Sequence, residues 1–234
     1  MSDPGQRQLP LPVQLRDEGT FDNFLPSPAT LPLVAALRQQ AEGTGEAIIY
    51  IYGADGVGKS HLLQASCHLA GAGRALYLPL GELADQAPDE VVQGVEALGL
   101  VCLDDVDRVL GRADWELALF HLCNRARQLG CALLVAGDAP PRALRVDLPD
   151  LRSRLAWGIV YQLAEAVDDE KIAILQFRAR RRGLTLSRDV CSYLVSRSAR
   201  DMDALLALLE TLDNASLVEQ RALSIPFVRG VLGW

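Results

Sequence analysis

A long apolar segment is missing from this sequence. No run within its 234 residues approaches the ~18 consecutive apolar residues of a membrane span, and its polar start, Met-Ser-Asp-Pro-Gly-Gln-Arg, lacks the apolar core of a secretory signal. Basic residues do not outnumber acidic residues either, because the net charge is −7. Proteins that hold DNA through its phosphates are usually basic. We therefore expect a cytoplasmic protein that does not cross a membrane and does not bind DNA by charge alone.

Cysteine pairs suited to a metal or a disulfide are also missing. The cysteines are Cys67, Cys102, Cys123, Cys131 and Cys191. Their number is odd and none shows Cys-x-x-Cys spacing, so we expect small buried thiols rather than a zinc site or a disulfide framework.

Lysine is scarce too. Among the 23 basic residues only Lys59 and Lys171 are lysine, which makes the position of Lys59 informative.

The apolar pattern predicts alternating strands and helices in the first part of the chain. Apolar runs over 47–52, 75–80, 100–103, 132–136 and 158–163 predict strands. Helical periodicity covers 33–42, 60–70, 89–98 and 115–129. This order favours an α/β fold in which a parallel five-stranded sheet is flanked by helices.

The strand signals end near residue 165. Helical periodicity then covers 168–182, 188–197 and 201–217. Ser187 and Ser224 are suitable N-cap residues for two of the last helices. We therefore divide the chain into an extended, proline-punctuated arm at 1–19, an α/β domain at 20–165 and a small C-terminal α-helical domain at 166–234.

A glycine-rich loop follows the first predicted strand. Gly53-Ala54-Asp55-Gly56-Val57-Gly58-Lys59-Ser60 fits the spacing Gly-x-x-x-x-Gly-Lys-Ser without a mismatch, and His61 follows it at the start of a predicted helix. Glycines let backbone N–H groups curl around phosphate oxygens, and the helix N-terminus adds partial positive charge. Lys59 would reach the β- and γ-phosphates, and the Ser60 hydroxyl would bind Mg²⁺. We expect residues 53–61 to bind ADP or ATP with Mg²⁺.

Two carboxylates, Asp104 and Asp105, end the third predicted strand. In phosphate-loop enzymes the first carboxylate at such a place holds Mg²⁺, so we assign Asp104, together with Ser60, to the metal. Asp105 is a candidate catalytic group that would orient or activate the attacking water. Its side chain is shorter than that of glutamate, which puts fast hydrolysis in doubt. A turn or helix-capping role is the alternative.

Asp138 and Arg200 are further candidates for contact with the nucleotide. Asp138 follows the fourth predicted strand, where a polar side chain would face the γ-phosphate, although an ordinary turn aspartate is the alternative. Arg200 precedes a helix of the C-terminal domain and would reach back to the nucleotide, unless it is a surface arginine. The arginine run at 178–182 ends another helix, where we expect mostly solvation and interaction with the helix dipole. Contact of this run with DNA stays open.

Two arginines and one exposed peptide suggest protein partners. Arg152 and Arg154 lie on a short predicted helix that starts at Pro149. An arginine supplied in trans can stabilise charge on a transferring phosphoryl group, and a solvated helix face is the alternative. In the arm, the alternating Gln8, Leu9, Leu11 and Val13 form a peptide suited to a partner's groove, unless it folds back onto its own domain.

With these residues in hand, the chain resembles the AAA+ ATPases of the DnaA group over nearly its whole length. The resemblance is closest to the members that inactivate the bacterial replication initiator. Residues 20–24 resemble the opening motif of the ATPase domain, residues 53–60 resemble Walker A, and residues 100–105 resemble Walker B. Residues 136–138 fall at sensor 1, and residues 148–158 resemble the arginine-finger box. Residues 200–202 fall at sensor 2, and residues 225–228 resemble the C-terminal segment of this group.

The resemblance implies partners and a mechanism. Residues 8–13 resemble the peptide that docks replication proteins on the DNA polymerase III sliding clamp (the beta subunit), and Trp234 follows the helical domain too closely to leave room for the initiator's DNA-binding domain. The nucleotide-bound protein would sit on the DNA-loaded clamp and offer Arg154, with Arg152 as runner-up, to the ATP held by the initiator DnaA. DNA would be contacted mainly through the clamp. Hydrolysis would prevent re-initiation, while intrinsic turnover would be weak or absent.

Two other functions stay open at this point. The first is a nucleotide-liganded adaptor that bridges the clamp and a replication protein without a catalytic arginine. The second is a loader-type ATPase that remodels DNA, which the acidic charge disfavours. A nucleotide-linked homodimer is also plausible, because AAA+ domains often pair through the finger face.

Overall fold

The computed structural model describes residues 15–16, 18–198, 201–219 and 221–234. The candidate clamp peptide at 8–13 and Arg200 therefore lie outside the described residues. None of the described helices combines the length and the apolar character that crossing a membrane requires.

Five parallel strands form the central sheet, as the sequence predicts. The strands are β1 (Ile48–Tyr52), β2 (Ala75–Pro79), β3 (Leu100–Asp104), β4 (Ala132–Gly137) and β5 (Ile159–Gln162). Their order is β2-β3-β4-β1-β5, and every neighbouring pair is parallel. Because the strands share one direction, their carboxyl ends meet at one edge of the sheet and their amino ends at the other. We call these the carboxyl edge and the amino edge.

Helices flank this sheet and then continue beyond it. The helices of the α/β part are α1 (Leu31–Ala41), α2 (Lys59–Ala70), α3 (Leu80–Leu83), α4 (Pro88–Val92), α5 (Ala113–Leu129) and α6 (Pro149–Leu155). Those that follow β5 are α7 (Asp168–Arg181), α8 (Arg188–Arg197), α9 (Met202–Glu219) and α10 (Ile225–Leu232). Short 3-10 turns cover Phe21–Asn23, Val95–Ala97 and Val106–Arg108. The α/β class with a helical C-terminal part is confirmed.

One predicted helix is broken in the structure. The periodicity predicted a single helix over 89–98, but α4 ends at Val92 and a separate turn begins at Val95. Gly94 lies between them with φ of +78°. This left-handed conformation suits glycine and ends a right-handed helix. The prediction was wrong because apolar spacing continues across the break.

Apolar side chains cover both faces of the sheet. One cluster includes the fully buried Trp115 of α5, and a second includes Leu37 of α1. Tyr50 belongs to the first cluster and Ile51 to the second, as the alternation of side chains along β1 requires. Each fully buried large side chain contributes about 1.5–3 kcal/mol. Burial on both faces explains why the strands read as continuous apolar runs.

All five cysteines are buried free thiols, as expected. Burial raises the pKa of Cys123 to about 12 and the pKa of Cys131 and Cys191 to about 11. At neutral pH these thiols stay protonated and unreactive, so they act as small apolar side chains.

The helices after β5 enclose an apolar cluster of their own. It includes Leu175 of α7, Leu194 of α8, Leu209 of α9 and Phe227 of α10. The Ser187 side chain accepts a hydrogen bond from the N–H of Val190, and Ser224 does the same for Phe227. Both predicted N-caps are therefore confirmed, and they start α8 and α10.

Residues before α1 connect the α/β part to α7 through ion pairs and a hydrogen bond. The Glu18 carboxylate forms ion pairs with Arg178 and Arg182, and Arg178 also donates a hydrogen bond to the Asn23 carbonyl oxygen at 3.1 Å. Arg178 is buried, although we expected the run at 178–182 to be mostly solvated. The expectation was wrong for this residue because Glu18, far away in sequence, provides its counter-charge.

The same segment is bound to α2, which begins at the glycine-rich loop. The backbone N–H of Arg16 donates to Gln64 Oε1 at 3.0 Å, and the Arg16 carbonyl oxygen lies 3.0 Å from His68 Nε2. Leu15 packs against the apolar cluster that contains α1 and α2. Residues 15–24 thus connect the helix behind the loop with the helical C-terminal part.

Glu116 of α5 fixes the start of α6. Its buried carboxylate accepts hydrogen bonds from the N–H groups of Gly111 (2.8 Å), Asp147 (3.0 Å) and Leu148 (2.6 Å). Leu148 is the N-cap residue of α6, so this carboxylate satisfies a backbone group at the helix start. The contact holds α6, and with it Arg152 and Arg154, against α5.

Candidate nucleotide-binding site and arginine helix

The glycine loop, defined as residues 53–60, joins the carboxyl end of β1 to α2. Gly56 and Gly58 have φ values of +74° and +100°, a region that glycine enters without steric cost. Gly58 is the N-cap residue of α2, so the free N–H groups of the first helical turn open toward the loop. This backbone fits an anion such as a phosphate group.

Lys59 is a buried cation in the glycine loop. Its side chain is 6% exposed, and Nζ donates hydrogen bonds to the carbonyl oxygens of Gly53 (2.8 Å) and Ala54 (2.9 Å). Asp55 Oδ1 lies 3.9 Å from Nζ, and Arg108 lies 3.8 Å from the other oxygen of Asp55. The loop thus holds an ammonium group where it can bind phosphate oxygens.

Asp104 lies at the carboxyl end of β3 and is fully buried. Its Oδ2 accepts a hydrogen bond from the Tyr77 hydroxyl at 2.7 Å, and its Oδ1 accepts one from the N–H of Asp105 at 3.1 Å. Burial and the Asp104 charge raise the pKa of Tyr77 well above its usual value, whereas hydrogen bonds with Gln64 and Ser60 lower it. The Tyr77 hydroxyl is therefore bound to Asp104, one of the two predicted Mg²⁺ ligands.

Asp105 has an unusual backbone. Among the described residues it alone combines a side chain with a positive φ, at φ 53° and ψ 44°, and aspartate tolerates this region better than most residues. Burial, followed by the charges of Asp104 and Asp107, raises the pKa of Asp105. A raised pKa improves a carboxylate as a proton acceptor. Asp105 is also the N-cap residue of the turn Val106–Arg108, which is the alternative role, so its catalytic role stays a prediction.

Asp138 follows β4, the strand between β3 and β1. It is exposed, and its backbone N–H donates to Asp107 Oδ1 at 3.0 Å. Nearby, the Tyr50 hydroxyl donates to the Ala139 carbonyl oxygen at 2.9 Å. Asp138 therefore lies at the carboxyl edge with the glycine loop and Asp104, as its position after a strand predicts.

The helical C-terminal part reaches the glycine loop at the start of α9. Asp201 Oδ1 accepts a hydrogen bond from the N–H of Asp203 at 3.2 Å, and the Asp201 carboxylate lies so close to Gly56 that a Cβ there would clash with it. A carboxylate and a phosphate repel each other at short range. We therefore expect phosphate binding at the loop to be coupled to the position of α9.

The segment at 20–24 lies beside the start of α2. His61 Nε2 is 2.9 Å from the Thr20 carbonyl oxygen. The Phe24 ring centre is 5.9 Å from that of His61, and the ring edge lies against Gly58. Burial is the main cause that lowers the pKa of His61, so the neutral ring is favoured. His61 thus holds this segment to the glycine loop, and direct contact with nucleotide stays a prediction.

The residues present fit a nucleoside phosphate with Mg²⁺. Mg²⁺ prefers oxygen ligands and is usually bound by one or two protein groups together with phosphate oxygens and water, and Ser60 and Asp104 supply such oxygens. Within the described part of the chain, no group of three or more His, Cys, Asp or Glu side chains could hold a metal ion by itself. The ion would therefore depend on the nucleotide, as the sequence predicts.

The arginine helix, α6, ends at the opposite edge of the sheet. In the chain it lies between β4 and β5. Gly158 comes just before β5 and packs against the carbonyl oxygen of Ile48, which is the first residue of β1. From Ile48 to Gly53 the chain rises about 16 Å at 3.3 Å per residue. Arg154, which stacks on Trp157 at this end, therefore lies at the amino edge, away from the glycine loop of its own chain.

The two candidate finger residues have different surroundings. Arg152 donates a hydrogen bond to the Val146 carbonyl oxygen. Arg154 instead places its guanidinium carbon 3.7 Å from the centre of the Trp157 ring, and its buried Nε has no hydrogen-bond partner among the described residues. Arg152 is thus held by a hydrogen bond to a backbone carbonyl oxygen, whereas Arg154 is held over the indole ring.

Known proteins resemble the chain in two ways. Residues 168–232 match the family described as Hda, lid domain. Domain III of the replication initiation protein DnaA from Thermotoga maritima is similar in structure, with a TM-score of 0.79 and 20% identity over 94% of this chain and 98% of that one. The chain therefore has the AAA+ fold of DnaA domain III, and its helical C-terminal part is an Hda-type lid over residues 168–232. Its α/β part is the AAA+ body, and α7–α10 form the lid.

Two further structures share this AAA+ fold. AMPPCP-bound DnaA from Aquifex aeolicus has a TM-score of 0.71 and 24% identity, over 84% of this chain and 66% of that one. The Thermotoga maritima RuvB Holliday junction branch migration motor has a TM-score of 0.66 and 15% identity, over 92% of this chain and 71% of that one. The resemblance to the DnaA group expected from the sequence is confirmed by the lid and the fold together.

Sequence reasoning missed three residues of the AAA+ site. Tyr77 lies in β2 opposite Cys102, two residues before Asp104 on the neighbouring strand, so it faces the same side of the sheet as Asp104. That relation becomes visible once the strand register is known. Asp107 reaches the site from a turn, and nothing in its local sequence marks it. Asp201 reaches the site from the lid, within the segment 200–202 that resembles sensor 2, but no role was predicted for its side chain.

Replacing Gly56 with Ala tests the glycine loop. The variant would place a side chain in a left-handed conformation and against Asp201, so we expect at least a tenfold loss of affinity for a fluorescent ADP analogue with Mg²⁺. Gly73→Ala is the matched control, because Gly73 has a φ of +77° with open space around its Cβ position. It should lower stability by about 1 kcal/mol through backbone strain and keep nucleotide affinity. Equal affinity of both variants would contradict the assignment.

The pH dependence of stability tests the role of His61. Its folded pKa lies below the usual histidine pKa of about 6.5, so the unfolded chain binds the proton more readily. The stabilisation by His61 is therefore complete above about pH 6.5 and is lost as the pH falls toward the folded pKa. Urea unfolding between pH 7.5 and 5 should show a smaller loss of stability for His61→Gln than for the wild type. The exposed His121, changed to Gln, should leave the slope unaltered.

Proposed function

We propose that this chain is a negative regulator of chromosome replication that acts on the initiator DnaA. It binds adenine nucleotide, docks on the DNA-loaded sliding clamp and stimulates hydrolysis of the ATP held by DnaA. The initiator is thereby converted to its ADP form, which prevents re-initiation. The observation that carries this proposal is the position of Arg154 at the amino edge, about one strand length from the glycine loop of the same chain.

The carboxyl edge supports the nucleotide part of the proposal. There the left-handed glycines and the buried Lys59 would bind phosphate, and Ser60 and Asp104, the latter held by Tyr77, would bind Mg²⁺. The similar DnaA structure from Aquifex aeolicus holds AMPPCP. In this chain the nucleotide, ADP or ATP, would act mainly as a ligand that sets the position of the lid. The contact between Asp201 and Gly56 is the means of that coupling.

The amino edge supports the action in trans. A head-to-tail contact between two AAA+ bodies joins different surfaces, and in the proposed complex these are the amino edge of this chain and the carboxyl edge of DnaA. Arg154 would then approach the phosphates of the partner rather than its own. An arginine in this role stabilises negative charge as the γ-phosphoryl group is transferred, an effect of roughly 10³–10⁵ in rate.

The choice of DnaA as the partner rests on the lid. The match of residues 168–232 to the Hda lid family and the fold shared with DnaA domain III both favour a partner within DnaA-type replication machinery. The clamp docking rests on Gln8, Leu9, Leu11 and Val13, which lie outside the described residues. The first residue that the structure describes is Leu15, which packs on the AAA+ body.

Replacing Arg154 tests the catalytic claim. In a mixture of ATP-loaded DnaA, DNA-loaded clamp and this protein, Arg154→Ala should fold normally and bind the clamp, but stimulated hydrolysis should fall about 1,000-fold or to the unstimulated rate. Arg152→Ala is the matched control on the same helix and should keep most of the stimulation. Full stimulation by Arg154→Ala would contradict the finger assignment and favour an adaptor. Hydrolysis that depends on this protein and DNA alone would favour a loader.

Replacing Gln8 and Leu9 with Ala tests the clamp contact. The loss of one polar and one apolar anchor should abolish retention of the protein on immobilised clamp, because few residues dominate such peptide interfaces. Nucleotide affinity should stay unchanged, since the glycine loop is intact. Retention equal to that of the wild type would show that the arm serves another purpose.

A further inference from the structure

Trp157 is an exposed aromatic residue just after the arginine helix. Its side chain is 43% exposed, although a large aromatic ring gains free energy by burial. The guanidinium carbon of Arg154 lies 3.7 Å from the ring centre, and that of Arg127, on α5, lies 4.5 Å from it. One indole ring therefore carries two cations, an arrangement that apolar packing alone does not explain.

Arg154 is held in a different way from three other arginines of the chain. Arg125 is paired with Glu96 at 2.6 Å, Arg178 is paired with Glu18, and Arg152 donates to a backbone carbonyl. Arg154 Nε is buried and has no hydrogen-bond partner among the described residues. Stacking fixes a planar guanidinium group without using its N–H donors.

The backbone around Trp157 fixes the ring as well. Its N–H donates to the Arg154 carbonyl oxygen at 3.1 Å, which closes the last turn of α6. The next residue, Gly158, packs against Ile48 with no room for a Cβ. The ring is thus attached both to the arginine helix and to the amino end of β1. Trp157 and Arg127 also border an open cleft of about 370 Å³, so a partner can approach them.

We propose that Trp157, stacked also on Arg127, is a positioning residue that fixes the Arg154 guanidinium group at the amino edge for the phosphates of the partner. The proposal rests on the proposed function, because it assigns the way in which the finger is held. Trp157 itself touches neither nucleotide nor reacting atoms. Arg127 adds positive potential beside the finger, which favours an anionic group on the approaching surface.

Two substitutions of Trp157 separate positioning from simple contact. Trp157→Leu removes the π face, whereas Trp157→Phe keeps it. At saturating DnaA, the rate of stimulated hydrolysis should fall at least about tenfold for Trp157→Leu, with the half-saturating concentration unchanged, and Trp157→Phe should restore most of the rate. An increased half-saturating concentration with an unchanged maximal rate would overturn the proposal, because Trp157 would then be an interface contact.

A measurement without partner tests the stack directly. In the ¹H–¹⁵N spectrum of the isolated protein, the Arg154 Nε–H signal, identified by its loss in Arg154→Lys, should be shifted upfield by the ring. It should move to an ordinary position in Trp157→Leu and return in Trp157→Phe. An unchanged signal in a folded Trp157→Leu variant would overturn the proposal.

The two readouts distinguish the proposals. If Arg154→Ala keeps full stimulation, the finger function is wrong, and the proton signal still decides whether Trp157 positions Arg154. If Arg154→Ala loses stimulation while Trp157→Leu keeps the wild-type rate, the finger function stands and the positioning role is wrong.

Discussion

The parallel direction of the five strands is the constraint on which the rest of the structure depends. It gathers the glycine loop, Asp104 and Asp138 at the carboxyl edge. It also forces the arginine helix, which leads from β4 into β5, to end at the amino edge. The same sheet therefore separates the nucleotide site of the chain from its candidate finger, Arg154. A single parallel sheet explains why one chain would hold one nucleotide and act on another.

The sequence predicts much of this frame, because its strands are apolar runs and its glycine loop is a local pattern with a mechanism. It does not predict contacts between distant elements. Tyr77 joins Asp104 through strand register, and Arg178 is neutralised by Glu18 from far along the chain. The break at Gly94 was missed because a single glycine is a weaker signal than continuing periodicity. The arm and Arg200 remain predictions.

The lid is coupled to the nucleotide site from two sides. Asp201 at the start of α9 lies against Gly56, and Glu18 binds α7 to a segment that also contacts α2. A change in charge at the glycine loop would therefore be transmitted to the lid through packed elements. Such coupling suits a bound nucleotide that acts as a ligand.

The central claim is that Arg154 serves the nucleotide of another protein. The most direct measurement is single-turnover hydrolysis in which γ-labelled ATP is bound to DnaA and unlabelled ADP to this chain, on DNA-loaded clamp, followed by the reciprocal labelling. The account predicts rapid release of labelled phosphate when DnaA carries the label, and release at the unstimulated rate when this chain carries it. Rapid release in the second arrangement alone would contradict it.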